Sequence, residues 1–201
     1  RRSSDLKTIC LRGHADIPHR SFDENMIVEK KDGTLWMLTR TFDGIGESFS
    51  NDGGYTWTPG RKSHIDGPCS RFHIRRLKSG RLLMINHYQF DQRIDLDDIM
   101  RQGNVKSWKG RSHLTALLSE DDGKTWPYTL LLDERNEVSY PDAKEAADGY
   151  IYVTYDWERV TQREILMARF TEEDILKGQL SSPNGKLRIL VNKATGQPDI
   201  H

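Results

Sequence analysis

The sequence of 201 residues contains only two cysteines, Cys10 and Cys69, and they lie far apart along the chain. Two distant cysteines exclude the disulfide-dense scaffold of a small secreted domain. No apolar run approaches the roughly 20 residues that a membrane-spanning helix requires, which excludes an integral membrane protein. An excess of one charge is also missing, because 30 Lys and Arg balance 30 Asp and Glu. A neutral chain has no overall field that attracts nucleic acid or an anionic membrane, so we expect neither as a partner.

The sequence also lacks an initiator Met and the apolar core of a signal peptide, and it opens on Arg1-Arg2-Ser3-Ser4. We therefore expect a piece of a longer protein. Its length is sufficient for one domain or for part of one. The sequence by itself does not fix a compartment, and for the full-length parent we expect a secreted or periplasmic location.

One stretch occurs twice, at 50–57 and at 119–126, and both copies read S-x-D-x-G-x-T-W. In such a stretch the Asp side chain can accept backbone N–H groups across a tight turn, and Gly supplies a positive φ. The Trp ring can pack the turn onto the next strand. A single copy would be ordinary turn chemistry. Two copies in register indicate a chain that is built from repeats.

Three hairpins recur along the chain, at Asp32-Gly33, Ser79-Gly80 and Asp148-Gly149. Asp-Gly between apolar runs favours a type I′ turn, which requires positive φ. The first two hairpins are followed by a third strand that leads into the repeated octapeptide, and the last is followed by a strand without it. The hairpin strands are predicted at 26–28 and 35–39, 72–77 and 82–85, and 143–147 and 151–155, and the third strands at 47–50, 113–119 and 165–170.

Each repeat is therefore predicted to be a four-stranded antiparallel unit, or most of one, with the length of a propeller blade. We place the blades at about 22–62, 66–132 and 136–176, followed by a closing segment at 177–201. The polar insertion 91–109 is predicted to be a loop that lengthens the second repeat. Thr171 is predicted to cap a short helix that ends at Gly178. Further strands are predicted near 6–11 and at 187–191.

The repeated octapeptide resembles the Asp box, or BNR repeat, of the sialidase (neuraminidase) superfamily, and the resemblance covers about residues 22–176. It implies an all-β fold, a sialidase-like six-bladed β-propeller, of which about three blades of the C-terminal half are present. The family's first carboxylate-binding Arg and its Asp general acid belong to the opening blades. We therefore expect both of them upstream of Arg1.

The resemblance extends to residues that carry chemistry in that family. Glu24 precedes a strand, and the strand that returns from the first hairpin ends in Arg40, as the family's Glu and one of its Arg residues do. Arg111 stands just ahead of an Asp-box strand, where the family has another Arg. Tyr140, in the segment Ser139-Tyr140-Pro141-Asp142, matches the family's nucleophilic Tyr.

The chemistry of an acidic sugar explains this choice of residues. A carboxylate nucleophile would repel anionic sialic acid, and family members use Tyr instead. A free phenol has a pKa of about 10 and attacks poorly at neutral pH, so it needs a neighbouring base such as Glu. Arg binds a carboxylate bidentately and stays charged. The resemblance thus implies Tyr140 as nucleophile, Glu24 as its base, Arg40 and Arg111 as carboxylate clamps, and Arg71 as a further candidate clamp.

Each of these residues also has a purely structural interpretation. Tyr140 could cover the core where a strand begins, and Glu24 could be a solvated loop acid. Arg40 could pair with an acid of a neighbouring blade. Arg111 could belong to a solvated basic run with Lys106 and Lys109. The segment 156–159, Asp-Trp-Glu-Arg, is more charged than the family usually carries there, and a different sugar could be the reason.

The resemblance implies an exo-glycoside hydrolase, exo-α-sialidase-like, that releases a terminal acidic sugar from a glycan through a retaining tyrosyl-enzyme mechanism. One alternative is a propeller glycosidase or polysaccharide lyase for uronic acid or rhamnose glycans, with a His in place of Tyr140. Another is a non-catalytic Asp-box propeller that binds glycan or protein, because a fold does not determine function. No cofactor or metal is expected. His14 and His19 have poor spacing for metal ligands, and the acidic run 95–98 lacks the spaced ligands and Gly of a calcium loop.

Overall fold

The computed structural model describes residues 11–89 and 111–196. Within these ranges the chain forms twelve β-strands in three four-stranded antiparallel sheets, together with one short helix. The predicted all-β fold is confirmed. Most of the strand predicted near 6–11, Cys10, the insertion 91–109 and its acidic run 95–98 lie outside the described residues. In the described part of the chain, no helix is long and apolar enough to cross a membrane.

Each sheet is a meander whose strands follow one another in chain order. The first sheet contains β1 (Arg20–Glu29), β2 (Leu35–Thr41), β3 (Gly44–Ser50) and β4 (Arg61–Lys62). The second contains β5 (His73–Arg76), β6 (Leu82–His87), β7 (Leu114–Ser119) and β8 (Tyr128–Asp133). The third contains β9 (Val138–Glu145), β10 (Tyr150–Trp157), β11 (Glu164–Thr171) and β12 (Lys186–Lys193), with the helix α1 (Glu172–Lys177) before its last strand.

The first strands of the three sheets are neighbours in space, since β1 contacts β5 and β5 contacts β9. This is the arrangement of adjacent propeller blades, in which the first strand of each blade lies nearest the axis. One apolar core fills the space between the first and second sheets, and a second core lies between the second and third. Side chains of β1, β5 and β9 can therefore meet at one end of the molecule.

The three predicted hairpins are present, but their turns differ from the type I′ turn that the Asp-Gly sequence favours. Gly33, Gly80 and Gly149 have φ values of +86°, +89° and +82°, whereas the residues before them have no positive φ. The N–H of Gly33 donates to the carbonyl of Lys30 over 3.0 Å, as in a type I turn followed by a left-handed Gly. This longer loop still needs Gly at one position, which explains why the sequence pattern located the hairpins correctly.

The two octapeptides form the same turn, organised by their Asp carboxylates. Asp52 accepts hydrogen bonds from the N–H groups of Tyr55 and Thr56, each over 2.9 Å, and from the hydroxyl of Thr56. Asp121 accepts from the N–H and the hydroxyl of Thr125 over 2.9 and 2.7 Å. The hydrogen bonds from Thr125 hold the pKa of Asp121 well below its ordinary value. The predicted turn chemistry is confirmed in both copies.

Both Asp boxes lie at the same end of the strands in their sheets. Ser50, which begins the first box, pairs with Leu35 beside the β1–β2 turn, whereas Arg40 pairs with Ile45 at the other end of the same strands. Five residues along a strand correspond to about 17 Å. The Asp boxes therefore lie at the strand ends opposite those that carry Arg40.

In the third sheet, the helix α1 occupies the place of an Asp box. Thr171 caps this helix, because its hydroxyl accepts from the N–H of Asp174 while the carboxylate of Asp174 accepts from the N–H of Thr171. Gly178 ends the helix with a φ of 68°. Both predicted helix limits are confirmed.

The second Asp box also joins the first two blades. A Cβ atom on Gly123 would lie 2.3 Å from Cζ3 of Trp36 in the first sheet. The ring of His64 stacks on Trp36, and its Nε2 lies 2.9 Å from the carbonyl oxygen of Gly123. Gly123 thus meets two demands, a positive φ and close approach by an aromatic ring of the neighbouring blade.

The substitutions Gly123→Ala and Gly149→Ala separate these two demands. Gly123 and Gly149 have nearly the same φ, +83° and +82°. A Cβ on Gly123 would meet Trp36, whereas nothing lies within 4 Å of a Cβ on Gly149. We expect Gly149→Ala to lower the free energy of unfolding by about 1–2 kcal/mol through backbone strain alone. Gly123→Ala should cost about 1–3 kcal/mol more, because it also displaces Trp36. Urea unfolding of both variants measures the difference, and equal losses would show that Trp36 moves aside without cost.

Candidate active site

The backbone leaves regular strand geometry where the candidate residues stand. In β1, Phe22 and Asp23 have φ values of 61° and 45°, and the pairing with β2 shifts register before Asn25. In β9, Tyr140 itself has a φ of 55°. Non-glycine residues rarely adopt this left-handed conformation, and they are concentrated at bulges and functional sites. These irregularities determine the direction in which the side chains of Glu24 and Tyr140 leave their strands.

Glu24, Arg40 and Tyr140 form one hydrogen-bonded cluster. The hydroxyl of Tyr140 donates to Oε1 of Glu24 over 2.7 Å. Nη1 of Arg40 donates to Oε2 of Glu24 over 2.7 Å and to the hydroxyl oxygen of Tyr140 over 3.2 Å. The Arg40 side chain is 1% exposed and that of Glu24 is 20% exposed. The phenol oxygen is therefore held between a carboxylate that can take its proton and a guanidinium that can stabilise its negative charge.

Arg40 carries a buried positive charge that its neighbours stabilise. Burial by itself lowers the pKa of Arg40, but hydrogen bonds to Glu24 and to Cys69 outweigh burial and raise it above its ordinary value. Arg40 also lies beneath the ring of Phe22, with 4.6 Å between Cζ and the ring centroid. The guanidinium is fixed on several sides, which favours precise recognition of a carboxylate.

Cys69, in the loop between β4 and β5, connects two of the predicted clamps. Its Sγ lies 3.4 Å from Nε of Arg40, and its carbonyl oxygen accepts from Nη2 of Arg111 over 3.2 Å. Sγ also lies 3.4 Å from the hydroxyl of Ser21 in β1. Sequence reasoning gave Cys69 no role, because none of these three contacts leaves a local pattern.

Arg111 precedes β7 and is 7% exposed, so it does not belong to a solvated basic run. Its Cζ lies 6.0 Å from the centroid of the Tyr140 ring. Burial, and after it the positive charge of Arg40, lowers the pKa of Arg111 to about 10. Lys106 and Lys109, the other members of the predicted basic run, lie outside the described residues.

Arg71 stands apart from the contacts of this cluster. Its Nη2 lies 3.7 Å from Oδ2 of Asp142, which is two residues beyond Tyr140 on β9. Oδ1 of Asp142 lies 3.1 Å from Nδ1 of His73. Burial lowers the pKa of His73 to about 4, so this ring is neutral at physiological pH. Arg71 is thus placed by a carboxylate of the third sheet rather than by Glu24 or Tyr140.

Arg159 is a neighbour of Tyr140 that sequence reasoning missed. Its Cζ lies 4.1 Å from the centroid of the Tyr140 ring, closer than that of Arg111. It comes from the turn between β10 and β11, within the segment 156–159 whose charge departs from the family pattern. That departure was the available signal, but it gave no indication of what Arg159 contacts.

The described ranges contain no group of three or more His, Cys, Asp and Glu residues that could hold a metal ion. Around the phenol of Tyr140 stand the carboxylate of Glu24 and the guanidinium groups of Arg40, Arg111 and Arg159. With these groups the candidate site can bind an anion, transfer a proton and supply an oxygen nucleophile.

The model of the BNR repeat-like domain family matches residues 17–153, more than half of the chain. The chain belongs to this family. A comparison with curated proteins finds no match.

Solved structures of sialidases share the fold of this BNR-repeat chain. The leech intramolecular trans-sialidase matches with a TM-score of 0.56 at 18% identity, over 77% of this chain and 24% of that one. The intramolecular trans-sialidase of Ruminococcus gnavus matches with 0.53 at 20% identity, over 80% and 34%. The NanB sialidase of Streptococcus pneumoniae matches with 0.53 at 18% identity, over 76% and 24%. At these identities the likeness shows the fold alone. The chain spans about a quarter to a third of the length of these proteins.

A buried histidine supports the segment that carries Arg111. Nδ1 of His87 lies 2.9 Å from the carbonyl oxygen of Ser112, and Nε2 lies 3.2 Å from the hydroxyl of Ser70. The carbonyl can only accept, so Nδ1 carries the proton and Nε2 accepts from Ser70. Burial lowers the pKa of His87 from 6.5 to about 4. The BNR-repeat fold therefore holds this ring in its neutral form.

The lowered pKa of His87 predicts a loss of stability in mild acid. Between about pH 6.5 and pH 4 the unfolded chain binds a proton at this position while the folded chain does not, so stability falls as the pH falls. Over the whole range between the two pKa values, the free energy of unfolding falls by on the order of 3 kcal/mol. We expect His87→Gln to flatten the dependence of the urea midpoint on pH, although His73 keeps part of it. His14→Gln, at an exposed position, is the control, and an unchanged slope in His87→Gln would contradict the prediction.

Proposed function

We propose that this chain carries part of the active site of an exo-glycosidase that releases a terminal acidic sugar, most simply sialic acid, with retention of configuration. The observation that carries the proposal is the 2.7 Å hydrogen bond from the hydroxyl of Tyr140 to Glu24. The two side chains belong to different sheets, and each stands beside a residue with positive φ or has one itself. A core tyrosine would not require either feature.

In the proposed first step, the phenol oxygen of Tyr140 attacks the anomeric carbon as its proton passes to Glu24. The bond from the anomeric carbon to the leaving oxygen breaks, and that oxygen takes a proton from a general acid. The resemblance to sialidases assigns this acid to an Asp of the full-length protein. In the second step water attacks the anomeric carbon and gives a proton to the carboxylate that acted as the acid, while Glu24 returns its proton to the departing oxygen of Tyr140. Two inversions at the same carbon give retention.

Arg40 serves this reaction in two ways. Its Nη1 lies 3.2 Å from the oxygen of Tyr140, where it stabilises the charge that develops as the proton leaves. With Arg111 it also offers guanidinium donors to the carboxylate of an acidic sugar. An acidic sugar is also supported by the similar structures, because the leech protein is a trans-sialidase whose structure holds 2,7-anhydro-Neu5Ac.

The substitution Tyr140→Phe in the full-length protein tests the nucleophile. It keeps the ring and its packing but removes the only atom that attacks, so we expect turnover of a sialoside to fall by about 10³-fold or more. Stability should change by about 1 kcal/mol, the usual contribution of one hydrogen bond. A 3-fluoro sialosyl fluoride slows breakdown of the intermediate, and mass spectrometry of the digested protein should find the sugar on the peptide that contains Tyr140.

Three results would decide against this mechanism. A label on another residue would exclude Tyr140 as the nucleophile. Intact sialosides together with cleavage of a uronic acid or rhamnose glycan would favour the other glycosidase or lyase. Binding of glycans without cleavage of any would favour a non-catalytic propeller.

Glu24→Gln tests the base separately from the nucleophile. The amide keeps the size of the side chain but cannot take the proton, and loss of a general base typically costs about 10² to 10⁴ in rate. The variant also removes the carboxylate that pairs with buried Arg40, so we expect it to be less stable than Tyr140→Phe. Turnover measured on the folded fraction, with thermal unfolding in parallel, separates the two effects. Normal turnover of Glu24→Gln would remove Glu24 from the mechanism.

A further inference from the structure

The bulge in β1 brings two side chains to Arg40. The pairing of β1 with β2 leaves the four residues 21–24 opposite Arg40 alone. Glu24, the last of the four, forms the ion pair with Arg40. Phe22 places its ring against the same guanidinium, with 4.6 Å between the ring centroid and Cζ of Arg40. The bulge therefore delivers an aromatic ring to the candidate site together with the carboxylate.

The conformation of Phe22 is unfavourable in two respects. Its φ of 61° lies in the left-handed region, which a bulky residue rarely adopts and which Asn or Asp adopts more readily. Phe22 is also 62% exposed, so a large apolar side chain remains in contact with water. The ring is not needed to hold Glu24, because Arg40 and Tyr140 both donate hydrogen bonds to that carboxylate. An exposed aromatic ring on a strained backbone beside the cluster points to contact with a ligand.

Exposure to solvent increases from the floor of the site outwards. Arg40 is buried, Glu24 is mostly buried, and Phe22 is largely exposed. A terminal sugar that reaches the hydroxyl of Tyr140 has to enter among the buried groups. The remainder of the glycan, which departs as the leaving group, extends from there towards solvent. Phe22 lies between Arg40 and solvent, where this remainder can meet its ring.

The chemistry of an aromatic ring suits a neutral sugar. A sugar ring carries hydroxyl groups around its edge and C–H groups on its faces. The flat surface of a Phe ring can cover such a face, and the contact removes apolar area from water. The contact requires no charge on the sugar. Arg40 and Arg111 suit the acidic sugar, whereas Phe22 suits a neutral sugar that is attached to it.

We propose that Phe22 binds the leaving group of the substrate, and that its ring packs on the C–H face of the neutral sugar next to the bond that is cleaved. This inference rests on the proposed function, because that reaction defines which sugar leaves. Phe22 becomes a specificity-determining residue that favours a saccharide leaving group over a small one. It is not among the positions that were matched to the sialidase pattern.

Two substrates that share the acidic sugar and differ in the leaving group test this role. They are 3′-sialyllactose, which releases a disaccharide, and the methyl α-glycoside of sialic acid, which releases methanol. The variants of the full-length protein are Phe22→Ala, Phe22→Leu and Phe22→Tyr. Tyr55→Ala is the matched control. Tyr55 is 59% exposed and its ring centroid lies 4.5 Å from Cζ of Arg12, but it belongs to an Asp box at the opposite end of the strands.

We expect Phe22→Ala to lower kcat/KM for 3′-sialyllactose by about tenfold and for the methyl glycoside by less than about twofold. Phe22→Tyr keeps a flat ring and should keep the preference for the saccharide leaving group. Phe22→Leu is apolar but not flat and should keep little of it, and Tyr55→Ala should change neither substrate. An equal loss with both substrates in Phe22→Ala would show that the ring only covers Arg40, and would overturn the inference.

Binding without turnover separates this inference from the proposed function. Isothermal titration of Tyr140→Phe, with and without Phe22→Ala, measures the affinity for both sialosides and for lactose. Turnover of both sialosides in a ratio that Phe22→Ala leaves unchanged would overturn the inference and leave the function standing. No turnover by the unsubstituted protein, with an affinity for 3′-sialyllactose or lactose that falls about tenfold in Phe22→Ala, would overturn the hydrolase and support the contact of Phe22 with the neutral sugar. No turnover and no binding that depends on Phe22 would overturn both.

Discussion

The buried charge of Arg40 is the constraint on which the arrangement of this molecule depends. A guanidinium that is 1% exposed must be compensated, because an unpaired buried charge costs several kcal/mol. Its partners come from all three repeats. Glu24 lies in the first sheet, Cys69 in the loop that leads to the second, and Tyr140 in the third. The ion pair with Glu24 lies within the first sheet, whereas the contacts with Cys69 and Tyr140 form only when the blades are packed together, so packing of the blades completes the candidate site.

The two ends of the strands have different structural roles, and the backbone conformation differs between them. At one end of the strands the Asp boxes and α1 form turns in which Gly residues, together with Asp122, adopt the positive φ values and carboxylates satisfy the N–H groups. At the opposite end of the strands, non-glycine residues such as Tyr140 and Glu158 adopt positive φ values, which are unfavourable for them. The turns formed by the Asp boxes and α1 stabilise the blades, and that stability can support the unfavourable conformations beside the candidate site.

The electrostatic character of the site follows from the same packing. Three arginines surround one phenol, and the carboxylates of Glu24 and Asp156 each hold one of them in position. In the proposed reaction, these groups would attract an anion and stabilise a negative charge on the phenol oxygen.

The sequence by itself determined what depends on neighbouring residues. The Asp boxes, the three hairpins and the capped helix α1 are encoded within about four positions, because their hydrogen bonds join residues that close together. The positions of Glu24, Arg40, Arg111 and Tyr140 could be predicted only through a family resemblance, since the bond between Tyr140 and Glu24 joins residues 116 positions apart. The sulfur of Cys69 beside Arg40, the approach of Trp36 to Gly123 and the place of Arg159 above Tyr140 left no local pattern. Only the tertiary structure decided them, because they arise where the blades pack and the backbone leaves regular strand geometry.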